Sequence, residues 1–122
     1  VNEQTPRRVA VTELRRGTPL LAVSGDLDAE TCRPVASEVD AVLDARPTAV
    51  VLDLRAVGFL GSAGIALLVN AHHRAGRLGV PFAVVADTRC VLRPLRMSQV
   101  DAVLPLYATV DEAVTALRLV SA

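Results

Sequence analysis

Two short runs, AVVLDL at residues 49–54 and PFAVVA at residues 81–86, constrain this chain more than any other feature. A strand with one wet face alternates apolar and polar residues, whereas one covered on both faces does not. Both runs are almost uninterrupted apolar and rich in Val, so they read as buried strands. Such strands need helices on both faces of their sheet. Between them, from Ser62 to about residue 77, Ile65, Leu68 and Val69 recur at helical spacing, and Gly76 and Gly79 mark the end. Strand, helix, strand in that order is the unit of a parallel sheet.

The rest of the chain extends this pattern. Residues 1–8 are polar, contain a proline and read as a flexible lead-in. Strand-like runs at 9–14 and 20–23 flank an Arg-Arg-Gly-Thr-Pro turn, which makes a hairpin. After SGDLD (24–28), Cys32, Val35, Ala36, Val39, Val42 and Leu43 form one stripe of a helix that Pro47 ends. Residues 88–97 read as a short helix that Pro94 restricts to an early turn or a kink, and 104–106 as an edge strand tolerant of Pro105. Thr109 and Glu112 form a capping box, with Val110, Ala113, Val114 and Leu117 as the stripe behind it. The expected fold is α/β, a mixed, mainly parallel sheet of about five strands in the order β-β-α-β-α-β-α-β-α. With 122 residues the chain supports one core, so a single domain is expected over residues 9–120.

Charge and composition then narrow the function. Thirteen basic residues, all Arg, balance thirteen acidic ones, so no net field draws the chain to nucleic acid or an anionic membrane. The absence of Lys removes Schiff-base chemistry and a P-loop lysine. Aromatics are 2% of residues, leaving few platforms for stacking bases or sugars. Cys32 and Cys90 fit no metal or CxxC spacing and read as buried thiols of a reducing cytosol. No apolar run reaches the roughly 18 residues of a membrane span, and cytoplasmic residence is the expectation.

The strongest candidate site is FLGSAG (59–64), where the buried strand gives way to the helix. Loops at the carboxyl ends of parallel strands are where ligands and partners usually meet an α/β protein. SGDLD leaves a neighbouring strand in the same way, which brings Asp26 and Asp28 toward Ser62. Ser62 has three readings: a helix N-cap, an exposed phosphoacceptor, or a nucleophile in need of a base. GSAG is not GxSxG, and GFLGSAG is not GxGxxG. His72 and His73 are adjacent on a helix and cannot form an i,i+4 metal pair, so a surface or boundary position is expected for them. Asp53 reads as a hydrogen-bond acceptor at the rim of the sheet.

With these residues in view, the chain resembles the STAS domains, and among them the bacterial anti-sigma factor antagonists. The resemblance spans about residues 9–119 and rests on SGDLD, VVLDLRAVGFLGSAGIALLV and DAVLPLYATVDEAV in that order. It implies a mixed sheet packed with helices and a binding module that is not an enzyme and holds no cofactor. It also implies that the unphosphorylated form binds an anti-sigma factor that is itself a serine kinase, which frees a sigma factor. Phosphorylation of a serine at the start of the second long helix then breaks the complex, and a separate phosphatase restores it. By motif position that serine is Ser62, and the implied partner surface is Asp26, Asp28, Gly58, Phe59, Leu60, Gly61, Ser62, Ala63 and Gly64. The implied state is a monomer or weak dimer, touching neither nucleic acid nor membrane. One position departs: the family usually has Asp before the acceptor serine, and this chain has Gly61. Two alternatives stand beside this reading. One is a phosphorylation-independent interaction or ligand-sensing module in a larger assembly, and the other is a small enzyme with Ser62 as nucleophile.

Overall fold

AVVLDL and PFAVVA form the centre of a five-stranded sheet. The computed structural model describes residues 9–121, and the lead-in read at residues 1–8 lies outside the described residues. In chain order the elements are β1 (Val9–Arg15), β2 (Thr18–Leu27), α1 (Cys32–Asp44), β3 (Val50–Leu60), α2 (Ser62–Leu78), β4 (Phe82–Val85), α3 (Arg89–Met97), β5 (Leu106–Tyr107) and α4 (Val110–Ser121). A single 3-10 turn, Val100–Ala102, lies between α3 and β5. The strand order in space is β1-β2-β3-β4-β5, with β1 antiparallel to β2 and the other neighbours parallel.

The helices divide unequally between the two faces. On the first face, Val35, Val39 and Leu43 of α1, Leu67, Leu68, Ala71 and Ala75 of α2, and Val91 and Leu95 of α3 pack on Leu21, Val23, Val50, Leu52, Leu54 and Val84. On the second, Ala113 and Leu117 of α4 pack with Leu20, Val51, Ala83 and Val85. Alternate residues of β3 thus serve opposite cores, which is why its sequence shows no alternation. On the solvent side, Arg74 of α2 bridges to Asp40 of α1 at 2.6 Å and also to Asp44.

Two strands run further than their patterns suggest. The periodicity ends them at residues 23 and 54, yet β2 continues to Leu27 and β3 to Leu60. The parallel register between them shifts twice, between Ala22 and Ser24 and between Gly25 and Asp26, and resumes with Asp26 beside Phe59 and Leu27 beside Leu60. Gly25 has a φ of +84°, a left-handed conformation suited to glycine and typical of a bulge. A bulge interrupts the period-2 signal without ending the pairing, so SGDL and GFL look like loops in one dimension. Beyond Asp53, which pairs with Val85 at the end of β4, β3 pairs among the described residues only with β2 and packs against α3.

Smaller differences follow the same logic. The last strand is Leu106–Tyr107 rather than 104–106. Leu104 is buried in the first core, while the Pro105 carbonyl accepts the Val84 N–H at 3.0 Å just ahead of the strand. Pro94 lies within α3 without ending it. The capping pair of α4 forms with its return bond one residue early: the Glu112 N–H donates to Thr109 Oγ1 at 3.1 Å, and Glu112 Oε1 accepts the N–H of Ala108, the residue before the cap, at 3.2 Å.

Candidate functional site at the start of the second helix

The helix that follows GFL is capped by Gly61, in an extended conformation (φ −90°, ψ 179°), and Ser62 is its first helical residue. The reading of Ser62 as the N-cap is therefore corrected by one position. An N-cap side chain reaches back to a helical N–H from outside the helix, and the residue outside is the glycine. Ser62 is exposed, and among the described residues its hydroxyl has no hydrogen-bond partner. No acidic residue occupies the first turn of α2. The positive end of this helix thus faces solvent without a side-chain counterweight.

Close backbone contact fixes that end in place. The Gly61 N–H donates to the Leu27 carbonyl at 2.9 Å. A Cβ at Gly64 would meet Leu60 Cδ1 at 2.7 Å and the Leu27 carbonyl oxygen at 2.9 Å, so only glycine lets the first turn settle on the end of β2. Leu27 and Leu60 are buried beneath it.

The neighbouring candidates separate by role. Asp26, Gly58 and Phe59 are exposed, and Asp26 Oδ1 lies 3.7 Å from where a Gly58 Cβ would stand. Ala63 is half-buried, and Leu60 and Gly64 are buried supports. Asp28 is committed to the turn before α1, where its Oδ1 accepts the Glu30 and Thr31 N–H groups, each at 3.0 Å. Its own N–H donates to Thr31 Oγ1 at 2.9 Å. The fold therefore brings Asp26, Gly58, Phe59, Gly61 and Ser62 to one surface and turns Asp28 toward its own chain.

Other titratable groups have structural surroundings. Asp53 is 7% exposed and accepts from the Arg55 N–H at 3.0 Å and from its guanidinium at 2.9 and 2.8 Å. Burial pushes the Asp53 carboxyl up, but the Arg55 hydrogen bonds and charge outweigh it and hold the group below its ordinary value. The same hydrogen bonds raise Arg55. His73 is exposed, and His72 is half-buried with its ring 6.0 Å from that of Phe82. The two thiols are not both buried as their sequence context suggests. Cys32 is half-buried, and burial, with the Asp28 charge adding to it, pushes its thiol up. Cys90 is exposed, its Sγ 3.4 Å from the Val57 carbonyl oxygen.

The sequence reading missed the flank formed by α3, which stands beside Phe59 and presents Arg89, Arg93 and Met97. The available signal was the spacing of those three residues at every fourth position in RCVLRPLRM. A nucleophilic Ser62 requires a base within hydrogen-bond reach, and none of the described residues supplies one. Among the described residues there is no group of three or more His, Cys, Asp or Glu able to hold a metal ion, and no helix is long and apolar enough to cross a membrane.

The STAS domain family matches residues 10–113. The anti-sigma-F factor antagonist RsfB of Mycobacterium tuberculosis is 32% identical over 114 residues, covering 93% of each chain. An anti-sigma F factor antagonist of Paenibacillus polymyxa is 29% identical over 110 residues, covering 89% of this chain and 94% of that one. The crystal structure of an anti-sigma factor antagonist from Mycobacterium paratuberculosis superposes with a TM-score of 0.84 at 35% identity, covering 90% of this chain and 92% of that one.

Proposed function

The chain belongs to the STAS domain family, and from that premise we propose that it is an anti-sigma factor antagonist with Ser62 as its phosphorylation switch. The observation that carries the reading is the exposed Ser62 hydroxyl on the first turn of α2, without a hydrogen-bond partner among the described residues and directly after Gly61, which packs against Phe59. In its neutral form this surface docks on an anti-sigma factor of the serine-kinase type, which releases a sigma factor. ATP and Mg²⁺ belong to that kinase. A phosphate on Ser62 adds about two negative charges. The open helix end stabilises that charge locally, while a contact built around a neutral hydroxyl would have to desolvate it. The complex therefore separates, and a phosphatase acting on Ser62 resets it. Asp26 and the surface formed by residues 58–64 make the contact. The working unit is one domain over residues 9–120, acting in the cytoplasm as a monomer or weak dimer.

The test is calorimetry with the purified serine-kinase anti-sigma factor of the same cell, together with intact-mass measurement after incubation with ATP. Wild type should bind and gain one phosphate, Ser62→Ala should bind without gaining it, and Ser62→Asp should bind at least about tenfold more weakly. Undiminished binding by Ser62→Asp would remove Ser62 from the interface. Gly61, where the family usually has Asp, favours a second reading of a phosphorylation-independent interaction module. Tight binding with no phosphate on wild type would select it.

A further inference from the structure

Next to the Ser62 loop is a groove of about 560 Å³ between Phe59 and α3, lined also by Cys90 and Pro94. Phe59 is 52% exposed and Met97 is 74% exposed, so two large apolar side chains flank one depression without cover. Arg89, Arg93 and Met97 follow one another at successive turns along one face of α3, and Val91 and Leu95 bury the other. The helix also carries Arg96 and has no acidic residue. Among the described residues neither the Arg89 nor the Arg93 guanidinium has an ion-pair or hydrogen-bond partner.

Fold stability gives no reason for these two guanidinium groups. Like charges at i and i+4 repel, and Arg89 sits in the first turn, where the helix dipole disfavours a cation. Residues that break a local rule without a structural gain point toward function. Asp26 faces Phe59 across the β2–β3 pair, Asp87 lies two residues before Arg89, and Asp101 lines a separate depression with Leu92 and Arg96 of α3. Phe59 therefore stands between an acidic flank on β2 and a basic flank on α3.

We propose that this groove receives an acidic segment with an apolar anchor, carried by the partner protein that covers Ser62. The inference rests on the partner reading above, since Phe59 belongs both to the groove and to the Ser62 surface. The apolar anchor seats against Phe59 and Met97, while carboxylates pair in bidentate fashion with Arg89 and Arg93. The paired acidic and basic flanks give the contact a direction, because a segment of reversed charge order would meet like charges.

The experiment measures affinity of the purified serine-kinase anti-sigma factor for wild type, Arg89→Glu/Arg93→Glu and a control, Arg15→Glu/Arg16→Glu, at two salt concentrations. The α3 variant should bind at least about tenfold more weakly with a shallower salt dependence, while the control stays as wild type. Equal affinity of the α3 variant and wild type would overturn the proposal. Arg89, Arg93 and Arg16 are exposed and Arg15 is half-buried, and thermal unfolding by circular dichroism checks each variant. If that kinase fails to bind wild type, the partner reading fails, and the groove is decided by amide-shift titration with a glutamate–leucine peptide and its lysine–leucine counterpart. Shifts at Phe59, Arg93 and Met97 with the acidic peptide alone support the groove. Equal shifts with both peptides, or none, overturn it.

Discussion

Gly61 and Phe59 account for one another. A Cβ at position 61 would stand 3.2 Å from Phe59 Cε2, closer than most side chains tolerate, so glycine lets the ring lie across the helix start. An aspartate there would meet no backbone strain at φ −90° but would displace the ring. Asp53 makes a separate point at the same scale. Its folded pKa is below the ordinary value, so its stabilisation is complete above the usual carboxylate range and is lost as pH falls through the folded value. Asp53→Asn should cost about 1–2 kcal/mol at neutral pH, with the gap to wild type closing below about pH 4. Urea unfolding at both pH values checks this, and a constant gap would mean that the charge contributes nothing.

Among the elements, the seating of α2 on the end of β2 decides where Ser62 stands. Helix propensity favours Ala over Gly by about 1 kcal/mol, so Gly64→Ala should stabilise if propensity governs. Contacts of 2.7 Å to Leu60 Cδ1 and 2.9 Å to the Leu27 carbonyl oxygen argue the opposite. The expected outcome is a net loss of about 1–3 kcal/mol, read by thermal unfolding, with amide shifts spreading from Ser62 into β2. The sign of the change separates the two effects. Elements with strong local signals were legible: the α1 stripe, the capping box of α4 and the buried run of β3 all stand where periodicity puts them. The ends of β2 and β3 were not, because their pairing continues through bulges that erase the alternating pattern.

At the scale of the molecule, one sheet serves two unequal cores, and among the described residues α4 alone covers the second. Leu117 is 4% exposed there, so Leu117→Ala should cost about 2–4 kcal/mol. Because both cores share the same strands, loss on one face should lower a single transition rather than split it. Circular dichroism and amide signals from β4 should melt together, and two separated transitions would show the faces to be independent. The sequence by itself determined the order of elements, the parallel centre and the two-sided covering, because each follows from local periodicity and residue chemistry. Only the tertiary structure decided that Gly61 rather than Ser62 caps the helix, that Asp28 turns to its own chain while Asp26 faces Phe59, and that α3 brings arginines, unpaired among the described residues, beside that ring. Those outcomes depend on register shifts and on contacts between residues far apart in sequence, which no local pattern encodes.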